Sequence, residues 1–211
     1  MQAQLLEVKE RFAVQNLVDI SEVPLYKVKT PLQRAIQLMK RHRDVMYKDA
    51  PECQKGDAPI SIIITTLAAH AYNNESSVIT ALDNILNNMQ RFVEVRNNSY
   101  WIGNPVMPEE NFAEKWNEEP NKQSEFMRWL EQAKQDMLVE PLKVHGLHNV
   151  SESMQRSFGS GIVRKSFSDV GNQTRADRDA GALYVSGLTG GLTTSSEGGT
   201  KKVGGHTFFG K

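Results

Sequence analysis

Two helix-start signals, at residues 30 and 57, constrain the fold more than any other feature of this sequence. The first is the run Thr30-Pro31-Leu32-Gln33, in which the threonine and glutamine side chains can each satisfy a backbone N–H of the first turn. Proline fits the first helical position because its missing N–H costs nothing there. Apolar residues then recur at helical spacing, so the sequence predicts an amphipathic helix from residue 30 onward.

The second signal, Asp57-Ala58-Pro59, precedes a strongly apolar segment, residues 60–72. A helix that is apolar on nearly all sides belongs in the middle of a core. The β-branched residues of this segment also allow a strand, but its length and its Leu-Ala-Ala-His-Ala continuation favour a helix. Ser61 then lies on the first turn, where free backbone N–H groups and the helix dipole favour anions.

Composition excludes several classes of protein. The chain has 211 residues, enough for one domain with a substantial core, and its formal net charge of zero gives no overall attraction to nucleic acid or membranes. The single cysteine, Cys53, excludes an internal disulfide and fits a reducing compartment. No apolar run approaches the roughly 20 residues of a membrane-spanning helix, and the N-terminus lacks a signal-peptide pattern. We therefore expect a cytoplasmic protein with no membrane and no disulfide partner.

Helical periodicity recurs on both sides of the central pair. It predicts helices over residues 2–18, 75–95 and 122–138, with a shorter turn or helix over 109–116. The prolines within residues 98–108 favour an extended loop or a short ribbon. Three aromatic residues of this region are interpreted as core: Trp116, Phe126 and Trp129.

The composition changes after residue 145, where glycine, serine and threonine dominate and the periodicity weakens. Residues 151–157 keep some helical character, whereas 159–205 are predicted to form a flexible tail. The predicted fold class is therefore mainly α, a bundle of about five helices. It comprises an N-terminal helix and connector (1–29), a helical domain (30–145) and a flexible Gly/Ser-rich tail (146–211).

The run Lys40-Arg41-His42-Arg43 places three cations within one helical turn. It is typical of a solvated basic face, or of partners for acidic residues on a neighbouring helix. It also allows an anion site, because Lys40 would approach the Ser61 hydroxyl if the two central helices pack side by side. Nucleic-acid binding is disfavoured, since the basic residues are confined to one turn without interleaved aromatic residues.

Three segments carry a family resemblance: residues 30–44, residues 59–69, and the run Asn104-Pro-Val-Met-Pro-Glu-Glu-Asn-Phe-Ala-Glu-Lys-Trp116. They resemble the C-terminal half of bacterial cGAS/DncV-like nucleotidyltransferases (CD-NTases), the cyclic-oligonucleotide synthases of CBASS anti-phage systems. The resemblance implies a helical domain like that of oligoadenylate synthetase. It also implies nucleoside triphosphates of the ATP or GTP class as substrates. Lys40 and Ser61 match the family's phosphate-contacting lysine and serine, and Arg43 is a third phosphate-binding candidate that could instead be structural.

The resemblance further implies paired Mg²⁺ ions held by a Gly-Ser … Asp-x-Asp pattern in the family's N-terminal half. Here Gly159-Ser160 and Asp177-Arg178-Asp179 match that pattern formally, but no apolar strand flanks the acids. The histidines share no ligand spacing either. We therefore expect no catalytic residue and no metal ligand in this chain. Its partner would be a missing N-terminal catalytic half, and the chain alone would be inactive.

The C-terminal end offers a second function. In type II CBASS systems, a ubiquitin-activating-like transferase joins the synthase C-terminus to other molecules. Phe208, Phe209 and Gly210 resemble a conjugation terminus at the end of a long linker, although Lys211 departs from a terminal glycine and would be trimmed or tolerated. The alternative to a synthase part is therefore a non-catalytic helical interaction module that serves as a conjugation substrate.

Overall fold

The predicted capping box begins the first helix, α1 (Pro31–Lys48). The structure, a computed structural model, describes residues 29–196 and 199–204, together with Leu6, Lys9 and Glu10. The Thr30 hydroxyl accepts from the Gln33 backbone N–H at 3.3 Å, and the Gln33 side chain accepts from the Thr30 N–H at 3.0 Å. The helix predicted over residues 2–18 lies almost entirely outside the described residues.

The apolar segment is a helix, as predicted, and not a strand. After the short helix α2 (Glu52–Gly56), it forms α3 (Ser61–Ala71), which has Ile60 as its N-cap residue and no capping side chain. The next helix, α4 (Val78–Asn88), is shorter than the predicted 75–95. The Ser77 hydroxyl caps its start, and its end tightens into a 3₁₀ turn, Met89–Phe92.

The chain then forms a small hairpin and a second set of helices. Strands β1 (Glu94–Arg96) and β2 (Ser99–Trp101) pair antiparallel around Asn97 and Asn98, whose positive φ angles suit a two-residue turn. The helices that follow are α5 (Glu114–Glu118), α6 (Pro120–Lys134), α7 (Glu140–Lys143) and α8 (Leu147–Phe158).

A π-helical turn, Gln135–Val139, links α6 to α7. Its cause is Pro141, which has no N–H to donate and whose ring crowds the preceding turn. The backbone hydrogen bonds there widen, and the Glu140 N–H donates to the Gln135 carbonyl, five residues back. This turn carries Asp136, which meets α1.

The core lies where α1, α3, α4 and α6 pack together. Trp129 and Phe126 are completely buried and Trp116 nearly so, which confirms their predicted core positions. The mainly α fold class is also confirmed. Within the described residues, no helix has both the length and the apolar character needed to cross a bilayer.

The chain divides after Gly159 into two compact units, and the second unit corrects the prediction of a flexible tail over 159–205. This unit contains helix α9 (Ser160–Asp179) and an antiparallel sheet in the order β4-β3-β5, formed by β3 (Tyr184–Ser186), β4 (Leu192–Thr193) and β5 (Thr200–Lys202).

Two physical features explain this correction. Polar pairs four residues apart, such as Lys165 with Asp169 and Gln173 with Asp177, support α9 although few apolar residues do. The glycines of this unit allow the turns and close backbone contacts of the sheet, and they do not form a linker. Gly190 has a φ of +66°, and a Cβ on Gly187 would lie 2.6 Å from the Gly199 carbonyl oxygen.

Candidate anion-binding site

Arg43 on α1 holds the first turn of α3. Its Nη1 donates to the Ser61 hydroxyl oxygen at 2.9 Å and to the Pro59 carbonyl oxygen at 3.0 Å. Helices α1 and α3 pack side by side, as the anion-site hypothesis requires. The residue that reaches Ser61, however, is Arg43 and not Lys40.

The guanidinium of Arg43 is largely committed to the protein. Its Nε and Nη2 donate to one oxygen of Asp44, at 2.9 and 2.6 Å. A guanidinium carries five N–H donors, and the contacts to Pro59, Ser61 and Asp44 use four of them. The Arg43 side chain is only 17% exposed. We therefore expect Arg43 to keep these contacts and stabilise the site, and not to give them up for a ligand.

Ser61 is exposed and keeps its own proton available. Its oxygen accepts from Arg43, but its hydroxyl donates to no described residue. The N–H groups of the first turn of α3 have no helical acceptor, and Ile60 provides no capping side chain. A hydroxyl donor therefore lies beside free backbone donors at the positive end of a helix, an arrangement that suits an anion.

A cleft of about 630 Å³ adjoins this first turn. Its charged lining residues are Arg43, Asp44, Lys48 and Lys55, so cations outnumber anions. Lys55 is paired with Glu52 at 2.9 Å, whereas Lys48 makes no hydrogen bond or ion pair with the described residues. Lys48 carries no motif signal in the sequence, because only the folded chain brings the end of α1 beside the start of α3.

The other residues of the basic turn point to different places. Arg41 donates from Nε to the Phe158 carbonyl at 2.9 Å and so caps the end of α8. His42 is buried, with its Nε2 2.9 Å from an Asp136 oxygen. Lys40 is half-buried, lies one turn before Arg43, and has no polar partner among the described residues. Neighbouring residues of a helix lie about 100° apart, so Arg41 and His42 face away from the side of α1 that carries Lys40 and Arg43.

Lys122 anchors the loop between α2 and α3 that forms the wall of the cleft. Its ammonium donates to the Gly56 carbonyl at 2.8 Å and lies 3.3 Å from Asp57 and 3.2 Å from Glu119. Burial opposes its charge, but the hydrogen bonds to Glu119 and Asp57 outweigh that effect and raise the pKa of Lys122. Sequence reasoning missed this residue, since Gly56 and Asp57 are more than 60 positions away in the chain.

The described residues offer no candidate metal-binding site. No group of three metal-ligating side chains converges within residues 29–196 and 199–204. Asp177 and Asp179 lie at the end of α9, where residues two apart do not face each other. Both are also engaged locally, Asp177 by Gln173 and Asp179 by Arg178. The conjugation residues Phe208, Phe209 and Gly210 lie outside the described residues, so their role stays a prediction.

Comparison with known proteins identifies relatives. No family model matches the chain. A c-di-GMP synthase from Roseivirga ehrenbergii is 33% identical over 141 residues, which cover 66% of this chain and 36% of that protein. The chain is similar in sequence to this synthase.

The fold of this chain has a solved counterpart. The CD-NTase CdnG of Bradyrhizobium diazoefficiens, whose structure contains GTP, superposes with a TM-score of 0.55 at 20% identity. The superposition covers 79% of this chain and 50% of CdnG. The chain thus spans about a third of the curated relative and half of the solved one, and this partial coverage fits a C-terminal half.

Proposed function

We propose that this chain is the C-terminal helical part of a nucleotidyltransferase that joins ribonucleoside triphosphates into a cyclic dinucleotide, releasing pyrophosphate. The 33% identity to a c-di-GMP synthase carries this proposal. GTP is the substrate that we favour, because that relative is named for a guanine product and the solved CdnG contains GTP. In a cell, the product would serve as a cytoplasmic signal in anti-phage defence.

Ser61 and Lys40 would contact the phosphates of the bound nucleotide. The free hydroxyl proton of Ser61 and the uncapped start of α3 support this role. Lys40 has no competing partner among the described residues and lies one turn from Arg43, close enough in the helix for its long side chain to reach the same region. Lys48 is a second candidate cation, because it lines the cleft beside Ser61.

The reaction also needs Mg²⁺, which would activate the attacking hydroxyl and steady the leaving pyrophosphate. The described residues do not fit a Mg²⁺ site, since no three ligating side chains converge. The ligands would come from a catalytic half.

An exposed apolar surface on α3 supports the existence of such a partner. Ile60 and Ile62 are 50% and 44% exposed at the start of the helix. At its other end His70 stacks on Phe92, which is itself 40% exposed. Apolar side chains left in water beside a candidate site are typical of a surface that another protein segment covers.

A synthesis assay tests the proposal. The purified chain is incubated with Mg²⁺ and labelled ribonucleoside triphosphates, alone and with the polypeptide encoded directly upstream. We expect a cyclic dinucleotide only in the combined reaction. Ser61→Ala and Lys40→Ala should each reduce its rate by roughly 10- to 100-fold, the effect of losing one hydrogen bond to a charged group.

A matched variant and a clear negative outcome complete the assay. Arg34→Ala removes an exposed cation from the same helix and should leave the rate unchanged. Absence of product in both reactions, with folded proteins, would contradict the proposed function.

A further inference from the structure

The contact between Arg43 and Ser61 has a chemical consequence for the direction of the serine proton. A hydroxyl has one proton and two lone pairs, and in water it rotates freely. In this structure an Arg43 N–H occupies one lone pair of the Ser61 oxygen at 2.9 Å. The proton must point away from that N–H, which narrows its range of orientations before any ligand arrives.

Arg43 can act in this way because its own position is restrained. Its Nη1 is held by the Pro59 carbonyl at 3.0 Å, at the end of the loop that leads into α3. Its Nε and Nη2 both donate to Asp44, on the opposite edge of the guanidinium plane. A planar group held from both edges keeps its direction, whereas a lysine at this position could not make the same set of contacts.

A carboxylate such as Asp44 is unexpected in an anion site unless it has a role in holding Arg43. Its carboxylate lines the cleft and would repel a phosphate. Its side chain is 53% exposed, so packing in the core does not explain its presence there. Its two contacts to the Arg43 guanidinium are the feature that offsets the repulsion.

We propose that Arg43 and Asp44 are positioning residues for phosphate binding. Asp44 orients Arg43, Arg43 orients the Ser61 hydroxyl, and the Ser61 proton is donated to a phosphate oxygen of the nucleotide. This inference rests on the proposed function. A donor that is already oriented loses less rotational freedom on binding, so the contact contributes more to affinity.

Charge and positioning predict opposite effects for Asp44→Asn, and this difference provides the test. The probe is inorganic tripolyphosphate, titrated into the ¹⁵N-labelled chain and followed through the amide signals of the first turn of α3. If Asp44 acts only through its charge, the neutral variant binds more tightly. Positioning predicts binding that is about 3- to 10-fold weaker, as expected for a misplaced hydrogen bond. Arg43→Lys, which keeps the charge, should weaken binding to a similar extent.

Two further variants separate positioning from a change in net charge and from general damage to the site. Asp49→Asn makes the same change in net charge at an exposed residue with no contact to Arg43, and it should not weaken binding. In a Ser61→Ala background, Asp44→Asn should no longer weaken binding, because there is no hydroxyl left to orient.

The outcomes separate the positioning role from the function on which it rests. Wild-type binding with equal or tighter binding by Asp44→Asn would overturn the positioning role and leave the phosphate site in place. A wild-type chain that binds no tripolyphosphate would overturn the phosphate site itself. The result that we expect is weaker binding by Asp44→Asn and by Arg43→Lys, with no weakening by Asp44→Asn in the Ser61→Ala background.

Discussion

Lowering the pH should destabilise the first unit of this protein through a single buried histidine, His42. This residue is 1% exposed, and its Nε2 faces Asp136 at 2.9 Å. A nitrogen that faces a carboxylate must carry the proton, so the neutral ring leaves Nδ1 as a bare acceptor. Nδ1 is buried without a partner among the described residues, and protonating it would place an unsatisfied N–H in the core.

The direction of the pKa shift follows from this environment. Burial lowers the pKa of His42, and the hydrogen bond and charge of Asp136 only partly oppose that effect. The unfolded chain therefore takes up a proton near pH 6.5, the ordinary histidine value, while the folded chain does not. The stability that depends on neutral His42 is complete above pH 6.5. Below that pH it decreases by up to about 1.4 kcal/mol per pH unit, until the lowered pKa is reached.

Urea unfolding at pH 7.5, 6.5 and 5.5 measures this slope. Tryptophan fluorescence is a suitable signal, because all three tryptophans lie in the first unit, Trp129 being completely buried. In His42→Gln the contribution of this histidine to the pH dependence of the unfolding free energy should disappear, even if the variant is less stable at every pH. The control is His148→Gln, at a side chain that is 84% exposed, and its slope should match the wild type. Equal slopes for the wild type and His42→Gln would refute the reasoning, as would a wild type that gains stability on acidification.

Two further substitutions test local features of the fold. Thr30→Ala removes the capping hydroxyl of α1, and we expect a loss of about 1 kcal/mol in the free energy of unfolding, measured by urea titration; an unchanged value would mean that the cap contributes nothing. Gly159→Ala forces a side chain onto a φ of +87°, with its Cβ 2.7 Å from the Arg41 guanidinium, and should cost about 1–3 kcal/mol. Gly161→Ala, in a position with open space around the Cβ, is its control and should cost nothing measurable.

Sequence reasoning succeeded where the signal is local. The capping box at Thr30 and the apolar run after Pro59 each depend on residues within one or two turns, and both helices were predicted correctly. The same reasoning failed for α9, because it read a polar, glycine-containing stretch as a linker. Pairs such as Lys165 with Asp169 form only once the helix exists, and composition alone does not reveal them.

The candidate site shows the same division. Helical periodicity placed Ser61 on a first turn and Lys40 on the neighbouring helix. It could not decide which basic residue meets Ser61, since that depends on how the two helices are rotated against each other. Lys122 could not be predicted either, because its ion pair with Asp57 spans 65 positions in the chain.

By itself, the sequence determined the two central helices, their apolar faces and the resemblance to the CD-NTases, since these follow from hydrogen bonds and spacing along a short stretch of chain. The tertiary structure alone decided the use of each charge in the basic turn. It paired Arg43 with Ser61, buried His42 against Asp136 and turned Arg41 toward the end of α8. The physical reason is that a charged side chain is satisfied by whichever partner lies within about 3 Å of it, and only the packed helices determine that partner.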